Sequence, residues 1–175
     1  MKEITLVKAA RQHFEAAELL YLLSFPPEER RPWHTITHPA DAAGPQLLIA
    51  LDGDRQLGFV TIWHFGTFIY IEHLAVEPSL RGAGTGAAIL RALTEKYSLP
   101  IALEVEPQAD NNPMAARRIG FYERCGFSVL DFDYIQPPYS PELPEVALKL
   151  MATAGAPDAA EIARTLHSRV YKASF

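Results

Sequence analysis

The run Leu74-Ala75-Val76-Glu77-Pro78-Ser79-Leu80-Arg81-Gly82-Ala83-Gly84-Thr85-Gly86 carries the chain out of an apolar, strand-like segment and through three glycines. Ala87, Ile89, Leu90 and Leu93 follow at helical spacing, to about Tyr97. A glycine turn between a strand and a helix directs unpaired backbone N–H groups and the positive helix end the same way, which makes an anion site. Glycines let the backbone approach a phosphate with no Cβ in between, and several adjacent amides suit a pyrophosphate. A P-loop requires Lys-Ser/Thr after its last glycine, and here Ala87-Ala88 stands there. Gly82-x-Gly84-x-x-Ala87 does satisfy a dinucleotide fingerprint, with Glu104 and Glu106 about 20 residues on. Against that reading, Pro78 and its neighbours separate the strand from the first glycine, and one βαβ unit is visible where two halves are expected.

Upstream of this run, Leu47–Leu51, Leu57–Phe65 and Phe68–Val76 are apolar and joined by short polar or glycine links, which predicts an antiparallel meander. Before it come a strand over Glu3–Lys8, a helix over Arg11–Ser24 with Phe14, Ala17 and Leu20 or Tyr21 on one face, and a long irregular connection from Pro26 to Pro45. Downstream, Pro100–Glu106 reads as a strand parallel to Phe68–Val76, because a right-handed helical crossover connects them. A helix over about Pro113–Arg124 stops at Gly126 as its C′ residue, and Phe127–Tyr134 with Glu145–Met151 form a last antiparallel pair. A terminal helix over Pro157–Tyr171 aligns Ile162, Leu166 and Val170, a stripe for packing within the subunit or at a homodimer interface.

The 175 residues are 49% hydrophobic with a net charge of −5, enough for one core without covalent staples. The single cysteine, Cys125, excludes an internal disulfide or a cysteine metal cluster and fits a reducing cytoplasm. No apolar run approaches the ~18 residues of a membrane span, and the first residues lack a signal peptide's apolar region. The acidic balance and the lack of a Lys/Arg run argue against nucleic acid as the main partner. His34-x-x-x-His38 has metal-ligand spacing, but Pro32 and Pro39 bracket it and no third ligand is evident, so no metal is expected.

Arg81-x-x-Gly84-x-Gly86, preceded by Leu74-Ala75-Val76-Glu77-Pro78, resembles the acetyl-CoA pyrophosphate loop of the GCN5-related N-acetyltransferase (GNAT) family. Phe121-Tyr122-Glu123-Arg124-Cys125-Gly126-Phe127 resembles that family's Tyr-x-x-x-Gly-Phe, and the order of elements matches over residues 3 to about 151. The resemblance implies an α/β fold with a mixed, mostly antiparallel sheet of about seven strands, flanked by helices, and a parallel strand pair beside the cofactor. Residues 1–151 would form the GNAT domain and 152–175 a C-terminal helical extension. It further implies acetyl-CoA as cosubstrate, bound by the backbone of Leu74, Ala75 and Val76 and by Arg81, Gly82, Ala83, Gly84, Thr85 and Gly86. Asn112 is a further candidate contact, although the family's asparagine falls at the position of Ala115 here.

Acetyl transfer from a thioester to an amine needs a base for the amine proton, a donor for developing negative charge, and an acid for the leaving thiolate. The resemblance places Tyr122 near the sulfur as that acid. Two carboxylates, Glu72 and Glu104, interrupt apolar strands, where burial must either pair them or raise their pKa, and a raised pKa suits a base. The resemblance does not choose between them, and Glu104 is slightly preferred. Each could instead be structural, Glu104 for example pairing with Arg117 or Arg118. Strand alternation turns His73 away from Glu72, which makes it a packing residue. The expected activity is acetyl transfer to a primary amine, of a small molecule or a protein, by direct attack in a ternary complex. A non-catalytic acyl-CoA sensor and a dinucleotide-binding domain are the alternatives.

Overall fold

The computed structural model describes residues 3–172, so the extreme ends of the two expected segments, residues 1–2 and 173–175, lie outside the described residues. The chain divides into two compact units, one running up to His64 and resuming over Ile71–Leu99, the other made of Phe65–Tyr70 and the chain from Pro100 onward. Among the described residues, eight strands form a mixed sheet in the order β1-β2-β3-β4-β5-β8-β6, with β7 also on β8 and β4 parallel to β5. No helix among them is long and apolar enough to cross a membrane.

In the first unit β1 (Thr5–Lys8), β2 (Gln46–Asp52) and β3 (Arg55–His64) are antiparallel, and β4 (Ile69–Val76) follows, its first two residues belonging to the second unit. A bulge between Ala50 and Leu51 shifts the β2–β3 register next to Gly58. At Gly58 β3 leaves no room for a side chain beside β4: a Cβ there would lie 2.2 Å from the carbonyl oxygen of Ala75. The meander's apolar runs are thus buried strands, with Leu57–Trp63 buried throughout.

Helix α1 (Phe14–Ser24) buries Ala17, Leu20 and Tyr21, the face its spacing predicts, against Leu47, Ile49, Phe59 and Ala75. Each fully buried Leu, Ile or Phe contributes about 1.5–3 kcal/mol. The connection from Pro26 to Pro45 departs from the irregular loop expected. It holds a helical turn at Pro27–Glu29 and a short helix α2 (Trp33–Thr37), started by Pro32 and anchored by Ile36 in the core. The Tyr21 hydroxyl accepts from the Arg31 amide at 2.8 Å and donates to the Arg31 carbonyl at 3.2 Å, which pins this segment to α1. Helix α3 (Thr85–Tyr97) buries Ile89, Leu90 and Leu93.

In the second unit β5 (Ile101–Val105) pairs antiparallel with β8 (Val146–Thr153), placing Glu104 opposite Leu150. Helix α4 (Pro113–Arg124) ends at Gly126, whose φ of +92° makes it the left-handed C′ residue the sequence predicts. The strand expected over Phe127–Tyr134 is instead two, β6 (Phe127–Val129) and β7 (Tyr134–Gln136), both on β8. Asp131 and Asp133, poor strand formers, occupy the break, and the Phe132 amide turns back to the Leu130 carbonyl at 3.0 Å. This division raises the strand number from about seven to eight. Helix α5 (Ala159–Thr165) is capped by Asp158, whose carboxylate accepts from the Glu161 amide at 2.8 Å, and continues as a wider turn over Leu166–Val170. Ile162, Leu166 and Val170 are buried within the chain, so this stripe serves internal packing.

Candidate active site

The glycine turn grows out of the end of β4. A helical turn at Pro78–Leu80 closes on itself, and Arg81 folds back so that its Nε donates to the Val76 carbonyl at 3.1 Å and an Nη donates to Ser24 Oγ at 3.4 Å. Gly82 and Gly84 then take φ of +77° and +80°, a region that side chains with a Cβ rarely adopt. A Cβ added to either glycine would meet no atom within 4 Å, so the turn faces open space. The first intrahelical bond runs from the Ala88 amide to the Gly84 carbonyl at 3.0 Å, which leaves the amides of Thr85, Gly86 and Ala87 as the unpaired donors of a helix N-terminus. Thr85 is 3% exposed, and its hydroxyl is buried without a hydrogen-bond partner. Leu74 and Val76 are half-buried on either side of buried Ala75.

Further back along β4, the Glu72 side chain is completely buried. Its Oε1 accepts from Arg31 Nε at 2.7 Å and its Oε2 from Trp63 Nε1 at 2.8 Å, while the Arg31 guanidinium lies 5.2 Å from the Trp63 ring centre. The pair anchors the segment after α1 to β4. His73, on the opposite face, is a packed residue as expected. Its Nε2–H donates to the Glu29 carbonyl at 2.8 Å, and its Nδ1 lies 3.0 Å from Thr61 Oγ1. A carbonyl can only accept, which assigns the proton to Nε2, and burial lowers the pKa so that the ring is neutral.

Glu104, in the second unit, is held by tyrosines. Its Oε2 accepts from the hydroxyls of Tyr70 at 2.6 Å and Tyr171 at 2.7 Å, and its Oε1 accepts from Tyr134. Arg118, one of the partners considered for it, lies instead 3.6 Å from Glu106. Sequence reasoning missed all three tyrosines. Tyr134 and Tyr171 lie 30 and 67 residues from Glu104, beyond the reach of any periodicity. Burial, and then the Glu104 charge, push the pKa of both phenols up, so both stay protonated.

Asn112 caps α4. Its Oδ1 accepts from the Ala115 amide at 3.2 Å and its Nδ2 donates to Glu106 Oε2 at 3.2 Å. Tyr122 is buried on α4 with its ring 5.0 Å from Phe121 and 5.5 Å from Phe127, the aromatic that follows the Gly126 turn. Burial pushes its phenol up to about 12, with the nearby Arg118 charge opposing. The first unit therefore carries the glycine turn, the end of β4 and Glu72, and the second carries Glu104, Asn112 and Tyr122.

Residues 43–129 match the acetyltransferase (GNAT) domain model. A GNAT-family protein of Bacteroides thetaiotaomicron, itself only provisionally assigned as an acetyltransferase, superposes with a TM-score of 0.87 at 36% identity, over 97% of this chain and 99% of its own. The chain belongs to the GNAT acetyltransferase family. As a GNAT protein it also shares its fold with Arabidopsis thaliana Naa50, solved in complex with the bisubstrate analogue CoA-Ac-MVNAL, at a TM-score of 0.61, 21% identity, and coverage of 86% and 98% of the two chains. YjbC of Bacillus subtilis (strain 168), whose assignment as an acetyltransferase is likewise provisional, is 37% identical over 63 residues. That match spans 36% of this chain and 32% of YjbC, about a third of the relative's length. The residues present fit the pyrophosphate of a coenzyme A: left-handed glycines facing open space, unpaired amides at the start of α3, and a buried Thr85 hydroxyl lacking a partner.

Proposed function

We propose that this GNAT protein transfers an acetyl group from acetyl-CoA to a primary amine, of a small molecule or a protein, by direct attack in a ternary complex. The catalytic domain would comprise residues 1–151, with 152–175 as a C-terminal extension. The observation that carries this reading is the turn at Gly82 and Gly84, whose open face and unpaired donors suit a pyrophosphate. Arg81, Gly82, Ala83, Gly84, Thr85 and Gly86 hold the phosphates, Leu74, Ala75 and Val76 offer strand backbone to the pantetheine arm, and Asn112 contributes from the start of α4. That Naa50 accommodates an analogue of both substrates at once supports direct transfer on this fold.

Bound acetyl-CoA supplies the acetyl group as a thioester. A lysine amine, with a reference pKa near ~10.4, is protonated at neutral pH and must lose that proton before its nitrogen can attack. Glu104 is the base we favour over Glu72, because phenols donate to its carboxylate whereas a guanidinium is locked onto that of Glu72. The ammonium gives that proton to the Glu104 carboxylate, and the freed nitrogen then forms the N–C bond. The C–S bond breaks as the Tyr122 phenol gives its proton to the departing sulfur, and the second nitrogen proton, made acidic by N–C bond formation, returns to the phenolate. Release of CoA thiol across a panel of amines tests this reading. Thiol release that depends on at least one amine supports it, whereas acetyl-CoA binding with no amine-dependent release would identify a sensor.

A further inference from the structure

The Glu104 carboxylate is met by phenols from three separate elements: Tyr70 at the start of β4, Tyr134 on β7, and Tyr171 just beyond the wide turn that ends the α5 segment. All belong to the second unit. Glu104 faces Leu150 and Tyr134 faces Leu148, two residues along the same strand, so both side chains occupy one face of the sheet. Tyr171 is delivered by a segment that buries Ile162, Leu166 and Val170, and its ring lies 5.1 Å from that of Tyr139. His167, from the same segment, lies 5.4 Å from the Tyr134 ring and hydrogen-bonds the Ile135 carbonyl at 2.8 Å. Among the described residues, Tyr70, Tyr134 and Tyr171 are titratable groups in direct contact with the carboxylate, and Tyr139 and His167 stand behind them.

A carboxylate that accepts three O–H donors is stabilised in its ionised form and held in one orientation. We infer that Tyr134 and Tyr171 are positioning residues that set the proton affinity and direction of Glu104, so that the C-terminal segment is a working part of acetyl transfer. The catalytic half of this inference rests on Glu104 being the base, and the electrostatic half does not. Phenols suit the task because each gives one directed hydrogen bond without adding a charge, which leaves the carboxylate able to take up a proton in turnover.

The test separates the two halves. Carboxyl carbon NMR of glutamate-labelled protein, with the Glu104 resonance assigned by its loss in Glu104→Gln, gives the titration midpoint directly. Loss of one phenol donor in Tyr171→Phe should raise that midpoint by about one pH unit, a tenfold gain in proton affinity. Tyr134→Phe should do the same, and serves if the first variant folds poorly. An unmoved midpoint in a folded variant overturns the inference whatever the activity. The acid limb of kcat/KM for the amine should move up by the same amount, and a moved midpoint with a stationary limb overturns the catalytic half. A moved midpoint in a protein that acetylates no amine upholds the electrostatic half and counts against the proposed function instead.

Discussion

Tyr122 keeps its proton throughout the range in which an acetyltransferase works, because burial raises its phenol to about 12. A phenol is a donor below its pKa, so the upward shift extends its acid form into alkaline solution. Tyr122→Phe removes that donor while keeping the ring against Phe121 and Phe127. We expect acetyl-CoA affinity to hold while kcat falls by on the order of 10² to 10⁴, the usual worth of a positioned general acid. Steady-state kinetics under conditions where chemistry limits turnover check this, and wild-type kcat in the variant would reduce Tyr122 to a packing residue. In the wild type, kcat should show no loss from this group as pH rises from 8 to 10, about two units below the raised pKa.

The middle of β4 is held in place by what two neighbouring residues bind on the strand's two faces. Glu72 fastens Arg31 on one side and His73 fastens the Glu29 carbonyl on the other, so the segment between α1 and α2 is tied to the strand at two points. Glu72→Gln removes the carboxylate charge that meets the buried Arg31 guanidinium, a change expected to cost about 3–5 kcal/mol. For a chain of this size the melting temperature should drop by roughly 6–20 °C. Arg31→Met combined with Glu72→Leu should recover most of that loss, because an apolar pair of similar volume removes the stranded charge. Calorimetry on the single and double variants decides it. A single variant as stable as wild type would mean that the pair contributes nothing to folding.

At the scale of the molecule, ligand binding should register as stability. Acetyl-CoA at about 100 times its dissociation constant should add about 2.7 kcal/mol. That corresponds to a melting shift of roughly 5–11 °C for this length, with no comparable shift from NAD. The reverse pattern would overturn the assignment of the glycine turn. What was legible in the sequence was local: the meander from three apolar runs, the glycine turn from its spacing, the C′ glycine at Gly126. The split of β6 from β7 turns on two aspartates inside an otherwise strand-like run, and the ordered turns after Pro26 depend on Tyr21 reaching Arg31, ten residues on. The tyrosines on Glu104 were illegible because only folding brings residues 70, 104, 134 and 171 to one point. The absent side chain of Gly58 has a similar reach. A single methyl group there would collide with the Ala75 carbonyl, displacing the strand backbone proposed to meet the pantetheine arm. Gly58→Ala should therefore weaken acetyl-CoA binding, measurable by calorimetric titration, with every residue of the glycine turn intact. A homologue could lose its activity through this one position, and a search for the family's signature would still count it as an enzyme.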